Sequence, residues 1–127
     1  FNYSKAKQET DQFFWQQLAD NYLEIVKNRV YQGTDSEKAS ANYTLYHSLL
    51  TILKLMAPIT PFITEEIYQQ YFKVHEKQKS VHMESWPSNI DIKTKKDDDK
   101  IWAKLLEIVT AVRQEKSKAQ KSMNPRS

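Results

Sequence analysis

Lys27-Asn28-Arg29-Val30-Tyr31-Gln32 places two cations, an amide and a phenol ring within six residues. Cations on phosphates and flat rings on splayed bases are what hold single-stranded nucleic acid, so Lys27, Asn28, Arg29 and Tyr31 form a candidate contact. The same residue types also suit a plain helix end, where Lys and Arg face the negative pole of the backbone dipole. A second basic group, Arg113, Lys116, Lys118 and Lys121, lies near the C-terminal end and could take phosphates. Residues 100–127 hold 7 Lys or Arg against 2 Asp or Glu, whereas residues 1–99 hold 12 against 14. That asymmetry fits a polyanion partner, and it also fits a solvated helix face.

Catalytic chemistry finds little support. The three histidines, His47, His75 and His82, include no helical pair spaced for a zinc ligand set and read as structural or solvated. Glu65-Glu66 and Asp97-Asp98-Asp99 fall at expected helix starts, where capping and dipole complementation account for them. With one glycine, Gly33, the chain has neither a phosphate-cradling loop nor a glycine-flanked nucleophile elbow. Zero cysteine removes disulfides, thiolate zinc sites and cysteine nucleophiles. No apolar run approaches the roughly 20 residues a membrane helix needs, so a soluble chain with no membrane partner is expected. The fragment is expected to be non-catalytic, with no cofactor and no metal of its own.

The elements that would position these residues are helical. Phe14, Leu18, Tyr22, Ile25 and Val30, with Phe13 and Val26 one position round, predict a helix from about Lys5 to Gln32. Gly33 is expected to end it in the left-handed conformation. Asp35 or Ser36 then caps a second helix through Ala39, Tyr43, Tyr46, Leu49, Leu50, Leu53 and Met56, antiparallel to the first. Pro58 ends that helix, and Thr60-Pro61 opens a third that runs to Phe72 and buries Phe62 or Ile63, Ile67 and Tyr71. Val81 to Pro87 alternates like a short extended segment, with Trp86 either a stacking platform or a core plug. Asp97-Asp98-Asp99 starts a last helix whose apolar face is Ile101, Trp102, Leu105, Ile108, Val109 and Val112, with Lys104, Arg113, Lys116 and Lys118 outside it. The fold class is all-α and four-helix bundle-like. One domain over 1–127 is expected, with core helices over about 5–72, a connector over 73–96 and a basic helix over about 97–120.

Three segments in order go beyond composition. Tyr3-Ser4-Lys5-Ala6, then Phe13-Phe14-Trp15 and Asp20-Asn21-Tyr22-Leu23-Glu24-Ile25-Val26-Lys27-Asn28-Arg29-Val30-Tyr31, resembles the opening helix of the anticodon-binding domain of class I valyl-tRNA synthetases. Met56-Ala57-Pro58-Ile59-Thr60-Pro61-Phe62-Ile63-Thr64-Glu65-Glu66-Ile67-Tyr68 resembles that domain's proline-punctuated signature, shared with the isoleucyl and leucyl enzymes, and Ser80 to Pro87 is similar to the segment after it. The resemblance spans roughly residues 3–125. It implies a helical domain that docks on the anticodon stem and loop of tRNA while catalytic and editing domains of the same polypeptide do the chemistry in the cytoplasm. ATP and magnesium would serve that parent enzyme, because neither its His-Ile-Gly-His-type nor its Lys-Met-Ser-Lys-Ser-type motif is present here. Two alternatives stay open: an isoleucyl or leucyl enzyme, and a helical protein-interaction module.

Overall fold

A computed structural model describes residues 2–88 and 97–119. Four helical rods and no strand occur among the described residues, in agreement with the all-α expectation. Helix α1 covers residues 3–32 without a break, α2 is Asp35–Met56, α3 covers residues 61–72 and α4 is Asp98–Lys118. The chain forms two compact units, Phe1–Asn89 with α1 to α3, and Ile90–Ser127 with α4.

In the first unit α1 and α2 are joined through only Gly33 and Thr34, and contacts from both halves of α1 reach α2, as an antiparallel pair requires. α1 changes hydrogen-bond register midway. Phe13–Tyr22 is a π-helix in which the Leu23 amide donates to the Leu18 carbonyl, five residues back. Leu18 and Val26 are buried, Phe14, Tyr22, Ile25 and Val30 are half-buried, and Phe13 is exposed. The expected stripe therefore holds except at Phe13, because a wider turn shifts the angular position that a 3.6-residue period assigns.

The α2 cap differs from the sequence reading. Thr34, rather than Asp35 or Ser36, accepts from the Glu37 amide, while the Glu37 carboxylate accepts from the Thr34 amide at 2.9 Å. The Thr-x-x-Glu spacing of this capping box was visible in the sequence. Within α2 the buried side chains are Ala41, Leu50 and Leu53; Tyr46 is half-buried, and Ala39, Tyr43 and Leu49 are exposed.

The proline corner forms as expected. The Ile59 and Thr60 amides both donate to the Met56 carbonyl, and Pro61 occupies the first turn of α3, where no amide is needed. Thr60 does not cap with its side chain; its hydroxyl donates back to the Met56 carbonyl instead. The buried face of α3 is Thr64, Tyr68 and Phe72, spaced i, i+4, i+8, with Ile67 half-buried. Phe62, Ile63 and Tyr71 are exposed, Phe62 at 90%, so the expected apolar face is displaced by one residue. A threonine and a tyrosine can hold the inner face because both hydroxyls find acceptors inside: Thr64 at the Thr60 carbonyl, Tyr68 at Gln78 and Glu84.

Residues 73–88 fold back over α2 and α3. Val81 to Met83 forms a 3-10 turn rather than an extended segment, with Val81 buried beside Leu50, Leu53, Ala57, Tyr68 and Phe72. Glu65 holds that turn. Its carboxylate accepts from the Ser80 hydroxyl at 2.8 Å and the Val81 amide at 3.1 Å, so it is a loop clamp rather than a dipole partner at the helix start. Trp86 is 64% exposed and is not a core plug.

Glu84 closes the arrangement. It accepts from the Tyr68 hydroxyl at 2.7 Å and pairs with Lys54 at 3.1 Å, with only 16% of the lysine and 9% of the carboxylate side chain exposed. Burial alone would raise the Glu84 pKa, but the hydrogen bonds from Tyr68 and Lys54 outweigh it and hold the carboxyl below its ordinary range. The stability it confers is therefore complete above the unfolded carboxyl value of about 4.3 and is lost as pH falls through the lower folded value. Glu84→Gln, which leaves Lys54 without its counter-charge, is expected to cost about 3 kcal/mol at neutral pH and to flatten the acid limb of the stability curve. Denaturant unfolding at pH 7 and across the acid range checks both.

Candidate nucleic-acid interface

The last turns of α1 carry the first candidate group. Val26 is buried and Val30 half-buried, which fixes the inward side of this α-helical stretch. At about 100° per residue, Lys27 and Tyr31 then fall on one outer face, about 40° apart, with Asn28 next to Tyr31. All three are exposed, Tyr31 at 77%. Arg29 is also exposed but lies across the helix from Lys27, on the side of Glu37, with which it interacts electrostatically. Lys27 pairs with Glu24 at 2.5 Å in an exposed i, i+3 contact, which is easily exchanged for another anion. The structure thus brings together Lys27, Asn28 and Tyr31, and sets Arg29 apart from them.

Gly33 makes this helix end possible, for a reason other than the expected one. Its backbone is extended, at φ -69° and ψ 167°, and not left-handed. What demands glycine is proximity: a Cβ here would lie 2.4 Å from the Arg29 carbonyl oxygen, which also accepts from the Gly33 amide at 3.1 Å. The two-residue link to α2 is completed by Thr34, whose backbone and side-chain hydrogen bonds to Glu37 keep that carboxyl below its usual range.

In the second unit α4 starts after Asp97, which makes no side-chain cap, and carries Asp98 and Asp99 in its first turn and Lys116 and Lys118 in its last. Its half-buried positions are Trp102, Leu106, Val109, Arg113 and Lys116, whereas Ile101, Leu105, Ile108 and Val112 are exposed. Arg113 and Lys116 therefore continue the more covered line of the helix instead of standing outside it. Lys118 lies about 160° round from Lys116 by helical rotation and pairs with Glu115 at 2.9 Å. The basic residues of α4 are thus distributed around the helix and do not make one face. Lys121 lies outside the described residues.

A ring cluster on α2 was not singled out from the sequence. Tyr43 and His47 have centroids 4.2 Å apart, Tyr46 lies 5.4 Å from His47 and 5.0 Å from Phe72, and His75 lies 6.1 Å from Tyr46. The spacing of Tyr43 and His47 by four residues was legible as a same-face pair; the approach of His75 depends on the loop after α3.

No group of three or more His, Asp or Glu able to hold a metal ion occurs among the described residues. A cavity of about 730 Å³ between α1, α2 and α3 is walled by apolar groups, among them Phe14, Trp15, Ile52, Met56, Ile67 and Tyr71. Such a wall does not fit a nucleoside triphosphate and its magnesium, which call for cations, amides and carboxylates. No helix among the described residues is long and apolar enough to cross a membrane.

The described residues form an all-α scaffold that exposes cations and rings, the class of helical domain to which the sequence comparison also leads. Its sequence matches, over residues 1–126, the family model described as the anticodon-binding domain of tRNA ligase, and the chain belongs to that family. It is 35% identical over 92% of its length to a valine-tRNA ligase of Pyrococcus furiosus, 38% over 97% to one of Anaplasma marginale and 40% over 98% to one of Methanothrix thermoacetophila. The chain spans only 13%, 14% and 13% of the length of these relatives. No solved structure matches it.

Gly33→Ala is expected to cost about 1–2 kcal/mol, since the new methyl meets backbone and cannot be relieved by a side-chain rotation. It is also expected to displace the Arg29 to Tyr31 turn. Chemical denaturation measures the first effect, and amide chemical-shift changes confined to that turn and to Thr34 report the second.

Proposed function

We propose that this chain is the part of a valine-tRNA ligase that receives the anticodon stem and loop of tRNA, acting as one domain over 1–127. The observation that carries this reading is Tyr31, standing 77% exposed on the same helix face as Lys27 in a chain of the anticodon-binding family. A flat ring beside a cation suits an unstacked loop base next to its phosphate. In this reading Lys27, Asn28 and Tyr31 meet the loop, Arg29 reaches a flanking phosphate, and Arg113, Lys116, Lys118 and Lys121 serve stem phosphates. The likeness to valine-tRNA ligases supports tRNA for valine as the ligand, rather than tRNA for isoleucine or leucine. Aminoacylation, with its ATP and magnesium, and editing belong to other domains of the parent polypeptide, in the cytoplasm.

The apolar cavity between α1, α2 and α3 favours a second reading, a module that packs against another protein element. Titration of anticodon stem-loop RNAs for valine, isoleucine and leucine at two salt concentrations separates the readings. Tight, salt-sensitive binding that prefers the valine stem-loop is expected. Tyr31→Ala should weaken it by about 10-fold, the scale of one stacked base, without changing the salt slope. Lys27→Glu should lower the slope by about one. Arg113→Glu with Lys116→Glu should weaken RNA binding while the helical circular dichroism is retained. RNA binding that is undetectable at low salt would leave the protein-interaction reading.

A further inference from the structure

We infer that the loop over residues 73–79 and the ring cluster beside it form a second RNA-contact surface, with Lys73, Lys77 and Lys79 on phosphates and Tyr43, His47 and His75 offering faces to an unpaired base. The inference rests on the RNA reading above and extends it to residues that neither the sequence reading nor the family resemblance assigned.

The loop is built so that its one acid points inward and its cations point outward. Glu76, the only carboxylate over residues 73–79, accepts from the half-buried Tyr46 hydroxyl at 2.6 Å. The His75 and Glu76 amides both donate to the Phe72 carbonyl, at 2.9 and 3.0 Å. Farther along, the Gln78 carbonyl accepts from the Tyr68 hydroxyl and the Lys79 carbonyl from Gln69. These bonds fix the backbone from both sides. Lys73, Lys77 and Lys79 are exposed, and none forms an ion pair among the described residues. Three cations and one occupied acid leave a positive surface on a preformed loop, which favours a polyanion.

The rings decide which polyanion. Tyr43 is 56% exposed and its ring lies 4.2 Å from that of His47, at an angle of 53°. Exposed His75 stands edge-on to Tyr46 on the loop side. Carboxylates alone gain nothing from such faces, whereas a splayed base stacks on them.

Both surfaces belong to one unit, at different levels of α2. α3 returns along α2 from the Met56 corner until Phe72 meets Tyr46, so the loop sits level with the middle of α2, in the same unit as the α1 end. From Tyr46 to the start of α2 at Asp35 the helix rises about 16 Å. A nucleic-acid strand advancing roughly 3.4 Å per nucleotide covers that distance in about five nucleotides. Along the α2 axis, the α1 end and this loop thus lie within the reach of a short single-stranded segment.

The test uses the full chain, the valine anticodon stem-loop RNA and poly-glutamate as a control polyanion. Lys77→Glu with Lys79→Glu is expected to weaken RNA binding at least 10-fold and to lower the salt slope by about two. Tyr43→Ala should weaken RNA binding several-fold at an unchanged slope and leave poly-glutamate binding as it was. If the lysine pair has no effect while Lys27→Glu still weakens binding, this inference fails and the reading of the α1 end survives. If the wild-type chain binds no RNA at low salt, both fail. If poly-glutamate binds as tightly as RNA and Tyr43→Ala changes neither, the loop is a surface for acidic peptides and the inference is overturned. Unfolding midpoints close to that of the wild type show that these exposed substitutions act on binding.

Discussion

Tyr68 is the most enclosed large side chain of the domain, with no solvent exposure, yet it carries a hydroxyl that must be satisfied. Its oxygen lies 2.7 Å from Glu84 and 3.0 Å from the Gln78 carbonyl, and Glu84 in turn takes the charge of Lys54 from α2. One phenol thereby joins α3, α2 and the segment over residues 78–84. Burial first, and then the neighbouring carboxylate, push its pKa well above the ordinary tyrosine value, so it stays a donor at any physiological pH. No buried side-chain nitrogen or oxygen is left without a partner among the described residues.

That network also shapes the electrostatics of the surface. Glu65, Glu76 and Glu84 are each turned toward donors of their own unit: Ser80 and Val81, Tyr46, and Tyr68 with Lys54. Residues 1–99 carry more acids than bases in sequence, but three of those acids are committed internally. The lysines of the 73–79 loop remain exposed. Formal charge counted along a chain and charge presented to a partner are different quantities, and internal hydrogen bonding separates them.

The α1 end shows the same economy in backbone terms. A two-residue link, made possible by the missing Cβ of Gly33 and by the Thr34–Glu37 capping box, turns the chain directly into α2. A short connection, closed by the Gly33 amide on the Arg29 carbonyl and by the capping box, fixes where the Lys27 to Tyr31 turn stands against the start of α2. The chain belongs to the anticodon-binding family over nearly its whole length, and the cavity between α1, α2 and α3 is walled by apolar side chains.

Composition and periodicity determined a good deal. One glycine, no cysteine and apolar residues three to four apart dictated helices, excluded phosphate loops and thiolate sites, and located the corner at Pro58 and Pro61. The order of short motifs carried the family. What the sequence could not decide is which face of α3 turns inward. Periodicity ranks Phe62, Ile63 and Tyr71 above Thr64 and Tyr68, but burial favoured Tyr68, whose hydroxyl met acceptors brought in from residues 78–84, and Thr64, whose hydroxyl bonds back to the Thr60 carbonyl. The π-helical stretches moved the stripe further, and the pairing of Glu76 with Tyr46 across 30 residues created a basic loop face that local reading registers only as polar. Local preferences are written residue by residue; the satisfaction of buried polar groups is settled only when distant segments meet.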